Sequence, residues 1–168
     1  SQIKNISTNA FLDGDTFDRS FDVHYQIWDE TDVRPAFAVG MRDFLGTGIL
    51  SSEYFVATKS FGSKLEVTGG LGWGRLGSHG SIGSISGNRP AFVPGDTGGE
   101  LSYDQWFRGD VAPFAGIEWQ ANDRWGFKAE YSSDAYVTET RISNVFERKS
   151  QVNYGLEYQW SKTTRIGA

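Results

Sequence analysis

An antiparallel up-and-down meander of about eight strands, of the transmembrane β-barrel type, is the all-β fold this sequence predicts, as one section of a longer barrel protein. Three observations predict it. From Phe37 to Arg75 the residues alternate with period two, which a strand produces and a helix does not. Aromatics make up 15% of the chain while the hydrophobic fraction is only 38%, and there are 21 glycines. That combination suits strands facing lipid with a polar interior. Finally, short connections interleave with long ones, as short periplasmic turns interleave with longer outside loops in barrels.

Taken in order, residues 1–16 are polar and turn-rich and read as a lead-in or loop. Ser1-Gln2-Ile3-Lys4 carries no leader pattern, as expected of an internal piece or of a chain whose leader has been removed. Phe17–Trp28 is the first strand: Phe17, Phe21, Val23, Tyr25 and Ile27 alternate with Asp18, Ser20, Asp22, His24 and Gln26. Arg19 interrupts the apolar side near one end. Asp29–Arg34 is a turn, and Pro35 suits the first position of a strand, where no ladder donor is needed.

Three strands follow, Phe37–Phe44, Ile49–Lys59 and Leu65–Arg75. In the first, Phe37, Val39 and Met41 oppose Ala36, Ala38, Gly40 and Arg42. In the second, Leu50, Tyr54 and Val56 are expected to face one way, and Ser51, Glu53, Ala57 and Lys59 the other. In the third, Leu65, Val67, Leu71 and Trp73 oppose Glu66, Thr68, Gly70, Gly72 and Gly74. Residues 77–105 are rich in Gly and Ser without sustained alternation, and so long a loop is usually functional or disordered.

Strand character resumes at Trp106, with Val111, Ala115, Ile117 and Trp119 opposing Asp110, Ala112, Phe114, Gly116 and Glu118. Asn122-Asp123 supplies turn chemistry. Then Trp125, Phe127, Ala129 and Tyr131 oppose Gly126, Lys128, Glu130 and Ser132. Residues 133–149 read equally as a loop or a strand pair. Val152, Tyr154, Leu156, Tyr158 and Trp160 oppose Asn153, Gly155, Glu157 and Gln159, and Arg165–Ala168 begins an eighth strand. Gly116–Gln120 with Arg124-Trp125-Gly126 is echoed by Gly155–Gln159 with Arg165-Ile166-Gly167, a repeated hairpin unit.

The charged side is expected to line a lumen through Arg42, Glu53, Glu66, Arg75, Asp110, Glu118, Lys128, Glu130 and Glu157, either as interlocking ion pairs or as solute contacts. Trp73, Trp119, Trp125, Tyr158 and Trp160 fall near strand ends, where aromatic rings anchor at a membrane interface. A net charge of −5 and no basic block argue against nucleic acid as a partner. No run approaches a membrane-helix length. There is no Cys, His24 and His79 are the only histidines, and they are not spaced as ligands, so no metal or cofactor is expected. The glycine run 69–77 lacks a phosphate-loop ending, and no Gly-x-Ser-x-Gly elbow is present.

Pro35-Ala36-Phe37-Ala38-Val39-Gly40-Met41-Arg42-Asp43-Phe44-Leu45-Gly46-Thr47-Gly48, with Ser52-Glu53-Tyr54 and Gly70-Leu71-Gly72-Trp73-Gly74-Arg75-Leu76, resembles the YjbH-type family. These are outer-membrane β-barrel lipoproteins associated with exopolysaccharide or capsule export. The resemblance is specific over roughly residues 34–77. It implies the bacterial outer membrane as location, with outer-membrane lipid, polysaccharide and other export proteins as partners. It brings no catalytic motif, so a non-enzymatic role is expected. Two other readings share the same alternation: a soluble antiparallel barrel binding a small apolar ligand, and an outer-membrane barrel enzyme acting on lipid or glycan. A soluble barrel would place the aromatic side inward.

Overall fold

The computed structural model describes residues 2–3, 16–17, 21–44, 50–91, 103–142 and 147–168. Two short strands, β1 (Gln2–Ile3) and β2 (Thr16–Phe17), pair with each other. The remaining eight form one antiparallel sheet: β3 (Val23–Trp28), β4 (Ala36–Arg42), β5 (Ser52–Phe61), β6 (Leu65–Gly72), β7 (Ala112–Gln120), β8 (Trp125–Tyr131), β9 (Val152–Gln159) and β10 (Arg165–Gly167). Their order in space is their order in sequence, so the sheet is the expected meander. It does not close, because β3 and β10 are its two edges. Helical structure among the described residues is confined to a 3-10 turn at Gly74–Gly77 and a π turn at Thr138–Ile142.

All four compact turns lie at one end of the sheet. The hairpin at Gly62–Lys64 uses Gly62 at φ +65°, a conformation costly for a side chain. The repeated hairpin unit has a common device. Gln120 Nε2 donates to the carbonyls of Asn122 (2.6 Å) and Trp125 (3.2 Å), and Gln159 Nε2 donates to those of Ser161 (2.6 Å) and Thr164 (3.3 Å). The last residue of each outgoing strand thus adds a side-chain donor to the turn carbonyls, and those of Trp125 and Thr164 also accept backbone bonds from Ala121 and Trp160. The opposite end carries the long connections 73–111 and 132–151.

Register sorts the side chains into two faces. Tyr25, Val39, Phe55, Leu71 and Pro113 follow one another across β3 to β7. Trp119, Phe127 and Leu156 continue that apolar face across β7 to β9. The other face carries Gly40, Tyr54 and Gly72, then Glu66, Glu118, Lys128 and Gly155. One extra residue in β3, Ile27, makes a bulge that returns Trp28 to the apolar face, stacked 4.9 Å from Phe37.

Strand β5 corrects the expected facing. Glu53, Ala57 and Lys59 share the apolar face with Phe55 and Phe61, while Tyr54, Val56 and Thr58 share the polar one. Both phases of this strand offer apolar residues, so alternation alone does not choose between them. Pairing with β4 and β6, whose phases are unambiguous, does. The expected strands at Phe17–Trp28 and Leu65–Arg75 are also shorter. Phe17 belongs to the separate β1–β2 ladder, residues 18–20 lie outside the described set, and the chain leaves β6 after Gly72. The break at 45–49 and residues 92–102 lie outside it as well.

Among the described residues the buried apolar core is small: Trp73, Val111 and Ala112 at the long-connection end, with Ala38 within β4. Trp73 packs edge-on to Phe55 (5.6 Å) and Phe107 (5.4 Å), and Phe107 stacks on Phe55 at 5.1 Å. The segment around Phe107 therefore covers the upper end of the apolar face. Below it that face is open: Tyr154 is 80% exposed, Phe61 57% and Trp119 50%.

Candidate functional site: the polar face of the sheet

Two adjoining hollows, of about 220 and 320 Å³, open on the polar face between β5 and β10. Their floor is low because Gly116, Gly126 and Gly155 contribute no side chain. Their walls are Glu66, Glu118, Lys128, Glu130, Asn153 and Glu157. Lys128 bridges Glu118 (3.1 Å) and Glu157 (3.3 Å), and Arg165 reaches the other oxygen of Glu157 at 3.1 Å. One ion-pair ladder so crosses β7, β8, β9 and β10. Its members are a quarter to more than half exposed, so it orders side chains more than it stabilises the fold. Glu66 stands directly opposite Glu118, an unfavourable like-charge pair that water or a ligand must screen.

The polar face continues toward β3 with a different character. Tyr54 lies across Gly40, where a Cβ would come within 2.2 Å of its ring, and Phe114 lies across Gly70 with the same 2.2 Å approach. The two rings meet edge to face at 6.3 Å. Tyr54 Oη is 3.1 Å from His24 Nδ1, and the Arg42 guanidinium sits 5.8 Å over the Tyr54 ring. Alternation along the sequence misses this cluster because it assigns Tyr54 to the opposite side. Glycines directly opposite the rings in register are the signal that finds it.

The charged residues expected to line one cavity separate into four environments. Arg42, Glu66, Glu118, Lys128, Glu130 and Glu157 share the polar face. Glu53 does not: it lies on the apolar face, 1% exposed, clamped by Arg89. Arg89 donates to Glu53 through both terminal nitrogens (2.7 and 3.0 Å), to Ser51 Oγ (2.7 Å) and to the Gln105 carbonyl (2.9 Å). The amide of Phe107 adds a further bond to Glu53 at 3.0 Å. A buried carboxylate requires such a set, since an unpaired one would be expelled or protonated. The expectation that Glu53 and Arg42 line one lumen together is thus corrected: Arg42 stands opposite Ser52, one position from Glu53, which puts the two on opposite faces.

Arg75 is off the sheet, in the 3-10 turn, paired with Asp134 and with Glu139 (2.6 Å) and stacked 5.1 Å over Tyr136. Partial burial disfavours its charge, but the hydrogen bonds to Asp134 and Glu139 outweigh that and raise its pKa. The π turn and the 3-10 turn are tied together in this way. Asp110 is exposed, in an isolated bridge with Ser84. Among the described residues no group of three His, Cys, Asp or Glu is placed to hold a metal ion.

The strand-end aromatics also divide. Trp119, Trp125, Tyr158 and Trp160 line the compact-turn end, with Trp125 and Tyr158 4.6 Å apart. Trp28 and Phe61, which the sequence pattern does not single out, extend the same row. Trp73 is corrected: it lies at the opposite end, 3% exposed, inside the small core.

Comparison with known proteins agrees with the sequence resemblance. A family model described as "Exopolysaccharide biosynthesis protein YbjH" matches residues 2–168. The Escherichia coli K12 protein named "Uncharacterized lipoprotein YjbH" is 33% identical over 167 residues, covering 91% of this chain and 22% of that protein. The chain thus spans about a fifth of the length of this relative. No solved structure matches. A match over nearly the whole chain means that the chain belongs to the YjbH exopolysaccharide biosynthesis family.

Proposed function

We propose that this chain is a section of an outer-membrane β-barrel serving exopolysaccharide export or assembly without catalysing a reaction. Its apolar face meets lipid and its polar face meets an enclosed aqueous lumen. The observation that carries the reading is segregation. Apart from the bulge residue Ile27, the large apolar side chains exposed in the eight sheet strands, such as Val67, Ile117, Phe127, Leu156 and Ile166, stand on one face. In water that face is unfavourable at roughly 25 cal/mol per Å², and an uncovered patch of this kind marks a protein or membrane contact.

Three further features support lipid as the cover. The aromatic row at the compact-turn end matches an interfacial girdle. Strands of seven to ten residues in β4, β5, β6, β7, β8 and β9 approach the ~9–11 of a tilted membrane strand. The open edges at β3 and β10 leave room for further strands of a longer chain, and the E. coli relative is several times longer. The lipoprotein name of that relative supports a membrane-attached envelope location for this chain. The family description supports the link to polysaccharide, with other export proteins as further partners.

The test is fluorescence quenching by brominated lipids in reconstituted membranes, with heat-modifiable migration on gels. Quenching of Trp119 and Trp125 in single-tryptophan variants, with Trp73 protected, is expected. Equal protection of all three would refute the orientation.

A further inference from the structure

We propose that Phe114 and Tyr54 form a binding subsite for an uncharged saccharide chain on the polar face, continuing along β7 into the glycine-floored hollows. The subsite rests on the polar face being an enclosed wet surface, as proposed above, and names what that surface holds.

Aromatic rings are out of place on a face of carboxylates, hydroxyls and glycines unless something apolar packs on them. Neither ring belongs to the buried core; both are partly exposed. Gly40 and Gly70 let the rings lean onto the sheet, because any side chain at either position would collide with them at 2.2 Å. The rings therefore lie close against the sheet. Arg42 occupies the neighbourhood of Tyr54, while Phe114 meets Tyr54 edge to face. A ring face bordered by a hydroxyl, an imidazole and a guanidinium is the chemistry that recognises a pyranose: C–H groups against the ring, hydroxyls against the polar groups.

The track leads on from there. Residues 114, 116 and 118 share one side of β7, about 6.6 Å apart. Phe114 is followed by Gly116, which with Thr68 lines the larger hollow, and then by Glu118. Glu66, Glu130 and Asn153 offer planar polar groups for sugar hydroxyls.

Charge selects the kind of chain. Four carboxylates, Glu66, Glu118, Glu130 and Glu157, line the hollows. The two basic strand residues among them, Lys128 and Arg165, are already paired with those carboxylates, and Lys64 stands in the turn at the rim. Within the hollows an anionic polymer would meet repulsion with no unpaired strand cation to receive it, Arg42 lying outside them at the ring end of the track beside Tyr54. An uncharged chain meets no such barrier.

The experiment uses the full-length protein in detergent, with a linear glucan heptamer, a chitohexaose and a sulfated dextran oligomer as probes. Saturation-transfer NMR reads sugar protons in contact with protein. Transfer to an uncharged oligosaccharide is expected, with none to the sulfated one. F114A is expected to weaken binding about tenfold or more, while F114W and Y54F retain it. E66Q/E118Q is expected to admit the sulfated probe. No transfer to either uncharged probe, or F114A binding as well as the parent, would overturn the subsite. Heat-modifiable migration of the same samples reports the barrel separately. A protein that migrates as a barrel yet binds no sugar refutes the subsite alone, and sugar binding without barrel behaviour refutes the membrane reading.

Discussion

Replacing Arg89 by alanine should release the long connection between β6 and β7. Arg89 is the sole partner that brings a positive charge to Glu53 among the described residues, and the Glu53 side chain is 1% exposed. Four donor bonds from Arg89 disappear, and the bond from the Phe107 amide alone is left to hold a buried carboxylate. Removing one partner of a buried pair costs about 3–5 kcal/mol. The loss falls on the segment that Arg89 anchors rather than on the whole sheet, whose ladders do not depend on it. At 1.4 kcal/mol per factor of ten, local opening becomes about a hundredfold more frequent or more. Trypsin cleavage after the exposed Arg108, followed over time, reads that opening. Rates within about threefold of the parent would refute the clamp. A charge swap, E53R with R89E, should recover part of the protection. E53R with R42E should recover none, because Arg42 projects from the other face.

Other expectations follow from single contacts. G70A forces a methyl within 2.2 Å of the Phe114 ring and 2.5 Å of the Phe55 carbonyl, for a loss of about 1–3 kcal/mol, whereas G69A meets open space and should change stability by less than about 0.5 kcal/mol. Urea midpoints of the refolded protein compare the two. I117R places a cation on the exposed apolar face and should cost about 2–4 kcal/mol in a bilayer, so it should fail to assemble in lipid vesicles; unimpaired assembly would count against lipid contact. The Glu30 carboxyl is held below the ordinary glutamate value of 4.5, first by the hydrogen bond from Lys59, then by those from the Ser60 amide and hydroxyl. A depressed carboxylate pKa gives stability that is present above 4.5 and lost as pH falls through the folded value. Exchange protection of the Ser60 amide should therefore decline below about pH 4.5 in the parent and be low at every pH in E30Q.

Fold class, strand succession and family are all legible in the amino-acid order. Period-two patterning is a local property, and hairpin turns such as Asn122-Asp123 need only neighbours to form. The segregation of Phe127 and Leu156 from Lys128 and Glu157 is legible for the same reason, since each strand carries its own alternation. Relations between strands, or across long connections, emerge only when the chain is folded. β5 carries apolar residues in both phases, and its ladder with Val39 and Leu71 fixes which side Glu53 takes. Arg89, 36 positions along the chain, becomes its partner only because the connection folds back over the sheet end. Trp73 and Trp119 read alike as strand-end tryptophans, yet one is sealed by Phe55 and Phe107 and the other stands exposed. Tyr54 and Phe114 meet across Gly40 and Gly70 through register, which no single strand encodes, because cross-strand contact depends on which residue of each strand stands opposite which.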